Sequence, residues 1–268
     1  MVSPPDIPVE VVANGNGSRK PYIAFEHVSK SFGSLEVLRD ISFDVMPGET
    51  LCILGRSGVG KSVSLQHIMG FLKPDEGRIF VDGEDITPFS EEQMQAVRQK
   101  VTMVFQNGAL FDSLTVAENV AFPLREGREL TEDQIEQIVR GLLEMVNVAE
   151  MAEMLPSDLS TGMKRSVAIA RALASEPRAI LYDEPTTMVD PLIARLLGNL
   201  IQKLQNQLHL TSIVVTHDTR FAERLANRVL FLHQGRAEFF GTVEEMKRSE
   251  NEVLQQFLRL DLVPVPVL

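Results

Sequence analysis

The chain carries one cysteine, Cys52, so no disulfide can form within it and a reducing compartment is its natural home. Cys52 lies in an apolar run, where a buried and inert thiol is expected. No apolar stretch approaches the ~18 residues that a membrane-spanning helix needs, and no basic segment followed by an apolar one opens the N-terminus. A protein that neither spans a membrane nor is secreted is expected, with any membrane contact made through a partner. Positive charge is also in short supply. Against 37 acidic residues stand 26 Lys and Arg, a formal charge of −11, the wrong sign for gripping nucleic acid through its phosphates. No internal repeat is visible. With 268 residues and 44% hydrophobic content, the chain is long enough for one large domain, or one domain carrying an inserted lobe.

The chemistry that is present gathers around Gly55, Arg56, Ser57, Gly58, Val59, Gly60, Lys61 and Ser62, which satisfy the phosphate-binding pattern G-x-x-x-x-G-K-[ST]. Upstream, Thr50 to Leu54 is a short apolar run bounded by Pro47-Gly48 and Gly55, as a strand buried on both faces requires. Downstream, Val63, Leu65, Ile68 and Met69 recur at helical spacing. Strand, glycine loop and helix form the context in which backbone N–H groups and a helix N-terminus cradle a polyphosphate. Lys61 adds a full charge for the terminal phosphates, and the Ser62 hydroxyl is a ligand for Mg²⁺.

Residues 1–20 mix Pro4-Pro5, Pro8 and Asn14-Gly15-Asn16-Gly17-Ser18 and read as a disordered leader. From Tyr22, alternating stretches through Val45 and again at Gly77 to Val81, with an Asp82-Gly83 turn, predict a small antiparallel sheet beside the nucleotide. Ser90 with Gln93, Thr131 with Gln134 and Thr242 with Glu245 are capping boxes that each open a helix. In the second, Ile135, Ile138, Val139, Leu142, Leu143 and Val146 form one apolar stripe. No strand pattern is convincing between Gln106 and Glu176, so residues 107–176 read as an inserted helical lobe. Alternation then resumes: strands at Ala179 to Tyr182, Thr211 to Val215 and Val229 to Leu232, with helices at Leu192 to Leu208 and Thr219 to Asn227 between them. Strands separated by helices imply parallel pairing. The expected fold is α/β: a P-loop NTPase (RecA-like) core with a mostly parallel sheet, an antiparallel β subdomain and an inserted α-helical subdomain. It occupies residues 21–241, and a short helix and a tail with Pro264 and Pro266 fill 242–268.

A phosphate loop alone does not choose among kinases, GTPases, helicases and transport ATPases. Asp183 follows an apolar strand and Glu184 follows Asp183. A carboxylate at the end of a parallel strand near the loop is placed to hold Mg²⁺, and its neighbour can orient or deprotonate an attacking water. With these motifs in this order, the chain resembles the nucleotide-binding subunit of ABC transporters over about residues 22–240. The resemblance implies that Phe32 stacks on adenine, although a lone Phe is more often core. It also implies that Gln106 reaches the metal and the water while hinging the lobe. Leu159-Ser160-Thr161-Gly162-Met163 matches the family signature LSGGQ, a second anion site at a helix N-terminus. Asp190, in Met188-Val189-Asp190, corresponds to the D-loop, and His217 to the switch histidine that contacts the γ-phosphate.

Two positions depart from the pattern: Thr161 replaces the first signature glycine and Met163 the glutamine. A Cβ at position 161 restricts close approach to phosphate unless its backbone stays in a normal φ region. The serine and second glycine survive, so activity is expected, with slow turnover one outcome. In this family the signature does not reach the nucleotide of its own subunit. Two copies therefore sandwich two ATP molecules head to tail in a C2 dimer, Lys61 of one facing Ser160 and Gly162 of the other. Ser62, Gln106 and Asp183 would hold Mg²⁺, Glu184 would serve the water, and His217 would hold the phosphate geometry.

The run from Phe105 to Val116, followed by Glu118-Asn119-Val120 and Phe122 to Glu126, looks like the MCE-associated branch, which includes the ATPase of the Mla system that traffics phospholipids across the bacterial envelope. That likeness implies an integral membrane permease as partner, an MCE-domain protein beyond it, and a place on the cytoplasmic face of the inner membrane. Leu110 and Phe111 form either a socket for the permease or part of the lobe's interior. A small polar solute importer shares the same mechanics and is the alternative. A non-transport ABC ATPase of DNA repair or translation usually has two cassettes or a long coiled-coil insertion, and this chain has neither.

Overall fold

The computed structural model describes residues 20–127 and 129–262; the expected leader up to residue 19 and the Pro264, Pro266 tail lie outside them. The chain opens on an antiparallel pair, β1 (Ile23–Phe32) and β2 (Leu35–Val45). It then enters the core through β3 (Thr50–Leu54), whose residues are all buried. After α1 (Lys61–Ile68), β4 (Glu76–Val81) and β5 (Glu84–Asp85) complete a four-stranded sheet in the order β2-β1-β4-β5. The Asp82-Gly83 turn between them has positive φ at both residues (54° and 81°), the primed geometry that matches strand twist.

The second sheet holds β6 (Val101–Val104), β7 (Ala179–Asp183), β8 (Thr211–Thr216), β9 (Arg228–His233) and β10 (Arg236–Thr242), in the order β10-β9-β3-β8-β7-β6. All its pairings are parallel except that of β10 with β9. Leu54 pairs with Thr216 and Asp183 with Val215, so the C-terminal ends of β3, β7 and β8 come level at one edge of the sheet. That edge is where open α/β sheets bind ligands.

The helical lobe is built from α3 (Val116–Gly127), α4 (Glu132–Met145) and α5 (Thr161–Ala174), preceded by α2 (Glu91–Lys100). Val120 and Leu124 of α3, Ile135, Val139 and Leu143 of α4 and Val167 of α5 share one buried cluster. Ile138 and Leu142 flank that stripe, half-buried against it. All three expected capping boxes close in both directions, the third opening α8 (Val243–Arg248). The last described helix is α9 (Glu252–Leu262).

One strand is unanticipated and one local reading needs correction. The four-residue strand β6 carries too short a pattern to stand out beside the helix before it, and only pairing with β7 defines it. After α6 (Pro191–Leu208), the helix α7 (Thr219–Leu225) stops short of Asn227. Asn227 is drawn into the sheet: its side-chain oxygen accepts from the Thr50 amide at 2.8 Å, and its own amide donates to the Thr50 carbonyl at 2.9 Å.

Arg228, at the start of β9, ties the two sheets together. Its guanidinium donates to both Glu49 oxygens (2.5 and 2.7 Å) and to Asp44 Oδ2 (2.8 Å), and it lies 4.6 Å from the Phe240 ring centroid. Each of these charged groups is less than a third exposed. Arg228→Ala leaves two part-buried carboxylates without their cation, so a loss of about 2–4 kcal/mol in urea unfolding is expected. An unchanged midpoint would mean that solvent already screens the cluster.

Candidate active site

The phosphate loop leaves β3 at Leu54 and enters α1 at Lys61; Gly55 and Gly60 are required by close packing, whereas Gly58 has open space around it and a left-handed φ of 78°. A Cβ on Gly55 would come within 2.6 Å of the Leu232 carbonyl, and one on Gly60, at φ 107°, within 2.9 Å of the Val37 carbonyl. Gly60 also offers no side chain to cap α1, so the leading amides of that helix are left for a ligand. These residues border a cavity of about 310 Å³. Ser57, Gly58, Gly60, Lys61, Ser62 and Val63 line it from the loop and helix, and Val37 from β2. Gln106, Glu184, Thr187 and His217 line it from the sheet edge.

Lys61 is 5% exposed, and its ammonium donates to the carbonyls of Gly55 (2.8 Å) and Arg56 (3.1 Å). It also lies 3.2 Å from Glu184 Oε1. The Ser62 hydroxyl donates to Asp183 Oδ1 at 2.7 Å. Burial pushes the Asp183 carboxyl above its ordinary value, against the lowering effect of the Ser62 hydrogen bond. Two adjoining hard oxygens, with the Gln106 amide on the same cavity wall, fit Mg²⁺, which takes few protein ligands and completes its shell with water and phosphate. The described residues contain no cluster of three or more His, Cys, Asp or Glu able to enclose a metal by themselves.

Glu184 is the most constrained residue of the site. Its backbone sits at φ 47°, a conformation unfavourable for a non-glycine residue, and its amide donates to the Val215 carbonyl at 2.9 Å. Its Oε2 accepts from the Thr187 hydroxyl at 2.9 Å and lies 2.8 Å from His217 Nδ1. Burial alone would raise this carboxyl. The His217 hydrogen bond, the Lys61 charge and the Thr187 hydroxyl outweigh it, leaving the group below the usual glutamate range and ionised near neutrality. An ionised carboxylate beside a phosphate cradle can orient or deprotonate a water molecule.

The remaining candidates lie outside this cavity. Val59 packs into the apolar cluster under the loop, so only its backbone is available to a ligand. The Arg56 side chain borders a separate cavity of about 150 Å³ between the loop, β9 and α9. Phe32, at the end of β1, is 46% exposed with Lys30 Nζ 5.7 Å from its ring centroid. The ammonium sits over one ring face, and at this exposure the side chain is not part of the core. Asp190 caps α6 by accepting from the Leu192 amide at 2.7 Å.

Ser160 caps α5 by accepting from the Met163 amide at 3.3 Å. Thr161 is the first residue of that helix and is absent from the positive-φ positions, so its Cβ costs no backbone strain. Met163 packs against the lobe's core, a place where an apolar side chain suits better than glutamine. Gly162 is fixed by packing: a Cβ there would meet Ile193 Cγ2 of α6 at 2.5 Å.

Sequence reasoning missed Thr187 and Val37. Thr187 lies three residues after Glu184, and nothing in Pro185-Thr186-Thr187 distinguishes the second threonine from the first until the turn brings its hydroxyl back. The loop after Gln106 is also better anchored than its sequence suggests. Buried Asn119 accepts from the Phe111 amide and donates to the carbonyls of Phe111, Leu114 and Thr115. Arg171 of α5 donates to the carbonyls of Gly108 and Ala109. Leu110 packs into the lobe, while Phe111 stays 42% exposed with its ring 4.8 Å from that of Phe122, itself 40% exposed.

Among protein families, the model described as ABC transporter matches residues 38–187. The intermembrane phospholipid transport system ATP-binding protein MlaF of Haemophilus influenzae is 38% identical over 227 residues, covering 85% of this chain and 86% of MlaF. A probable ribonucleotide transport ATP-binding protein, mkl, of Mycobacterium leprae is 35% identical over 251 residues, covering 92% of this chain and 72% of mkl. Among solved structures, the dimeric post-hydrolysis state of the ATP-binding cassette MJ0796 bound to ADP and Pi superposes with a TM-score of 0.76 at 30% identity, covering 82% of this chain and 98% of that one.

Proposed function

The chain belongs to the ABC transporter family and is an ATP-hydrolysing subunit; from that premise we propose that it drives a permease moving phospholipid, or another lipid, between bacterial envelope membranes. The observation that carries the catalytic part is the convergence of Lys61, Ser62, Glu184 and His217 on one cavity at the level ends of β3, β7 and β8. In this reading the loop amides and Lys61 hold the phosphates, which requires Lys61 to exchange its contact with Glu184 for the γ-phosphate. The Glu184 oxygen that Lys61 releases then faces the attacking water, and His217 keeps both carboxylate and phosphate in place. Mg²⁺, held by Ser62, Asp183 and Gln106, would supply charge neutralisation on the phosphates. The protein's own contribution is mostly positioning and fixed charge.

The signature segment of Ser160, Thr161 and Gly162 does not line this cavity, which fits the family arrangement in which a second copy of the chain presents it to the nucleotide. Two ATP molecules at such an interface hold the dimer closed, and hydrolysis loosens it. Arg171 and the Asn119 anchor make the segment after Gln106 move with α5, and the exposed Phe111 and Phe122 offer the permease an apolar foothold on that segment. No described helix is long and apolar enough to cross a membrane, which fits attachment through a permease on the cytoplasmic face of the inner membrane.

The cargo is supported by similarity to MlaF; similarity to mkl, named for ribonucleotide transport, supports a second reading in which the cargo is a small polar solute. Purification of the full chain from detergent-solubilised native membranes, followed by mass spectrometry, separates the two. A multispanning permease with an MCE-domain protein and bound phospholipid is expected. A permease with a soluble solute-binding protein would replace the lipid reading with the importer, and no membrane partner would overturn both.

A further inference from the structure

We propose that Thr187 is a positioning residue that commits one oxygen of Glu184, Oε2, so that only Oε1 is presented to the attacking water. Thr187 grips Glu184 twice, its amide donating to the Glu184 carbonyl at 3.2 Å and its hydroxyl to Oε2 at 2.9 Å. His217 Nδ1 lies 2.8 Å from that same oxygen. Each carboxylate oxygen has about two lone-pair directions, so Oε2 is fully engaged. The contact found at Oε1 among the described residues is Lys61 at 3.2 Å, on the cavity side. When Lys61 turns to a phosphate, Oε1 is the oxygen released, already aimed by the two donors behind it.

The backbone makes a local anchor necessary. At φ 47° Glu184 sits in a sparsely populated region, and such residues hold their geometry only when neighbours over-determine it. Thr187 is half-buried and lines the same cavity, so its hydroxyl acts where the chemistry occurs. His217 cannot replace this hold by itself. Its side chain is 53% exposed, and the catalytic reading also assigns it to the phosphate.

This inference rests on the reading of Glu184 as the residue serving the water. The test compares steady-state MgATP hydrolysis by the full chain, assembled with its membrane partner, for the parent, Thr187→Val, Thr187→Ser and Glu184→Gln. Valine keeps the shape and removes the donor. Losing one aligned hydrogen bond of ordinary strength should lower kcat about five- to ten-fold, with KM for ATP changed less than about two-fold. Serine should keep at least about half of the parent kcat, which a purely packing role for the threonine methyl would not produce. A silenced Glu184→Gln with Thr187→Val equal to the parent, or with Thr187→Ser as slow as valine, overturns the role of Thr187 alone. Parent-level turnover in Glu184→Gln overturns the reading of Glu184 and this inference with it.

Discussion

Glu184→Gln is expected to bind ATP within a few-fold of the parent, to lose at least about a hundred-fold in turnover, and to accumulate as a nucleotide-held dimer. The amide keeps an oxygen able to accept from Thr187 and His217, so the local fold should survive. It cannot take a proton from water, and it no longer pairs with Lys61 as an anion. With binding intact and hydrolysis blocked, the closed dimer has no route to opening. Gel filtration with and without MgATP reads the dimer, and phosphate release reads the chemistry. Normal turnover would remove Glu184 from its role.

Lys61→Ala should act at the earlier step. The ammonium is 5% exposed and held by two loop carbonyls and Glu184, so its removal takes a full positive charge from the floor of the cradle. A charge-assisted contact to phosphate in a part-buried site contributes about 2–4 kcal/mol, so affinity for ATP should fall by roughly 30- to 1,000-fold. The vacated space also leaves Glu184 without its cation, which raises its carboxyl toward the ordinary range. Equilibrium titration with a fluorescent ATP analogue checks the affinity. Binding within about three-fold of the parent would show that the backbone amides alone hold the phosphates.

These expectations draw on two kinds of information that the sequence carries unequally. The loop from Gly55 to Ser62 and the Asp183-Glu184 pair are contiguous in the chain, and their flanking apolar runs are buried strands in the fold. Local spacing was enough to place them, as it was for the capping boxes at Ser90, Thr131 and Thr242. What the sequence hid depends on tertiary return. The left-handed backbone of Glu184 and the turn that folds Thr187 onto its side chain have no linear signal. The contact between Lys61 and Glu184 joins the first residue of α1 to the residue that follows β7.

The signature segment shows the same division. Its serine was recognisable as a helix cap, but the need for glycine at position 162 comes from Ile193 on a helix that follows in the chain. Thr161, which looked like an obstacle, is harmless to the backbone because it begins the helix with ordinary φ. Strand β6 has no sequence signal because four residues cannot display a period, and the helical pattern runs past the end of α7 because Asn227 has its partner in β3.

The most direct measurement of the central claim is phosphate release from ATP by the complex purified from its native membranes, followed with Mg²⁺ and then with excess chelator. The account predicts hydrolysis that requires Mg²⁺, disappears in Glu184→Gln and returns when the metal is restored to the parent. A complex that binds ATP yet releases no phosphate with Mg²⁺ present, or one in which Glu184→Gln turns over like the parent, would contradict it.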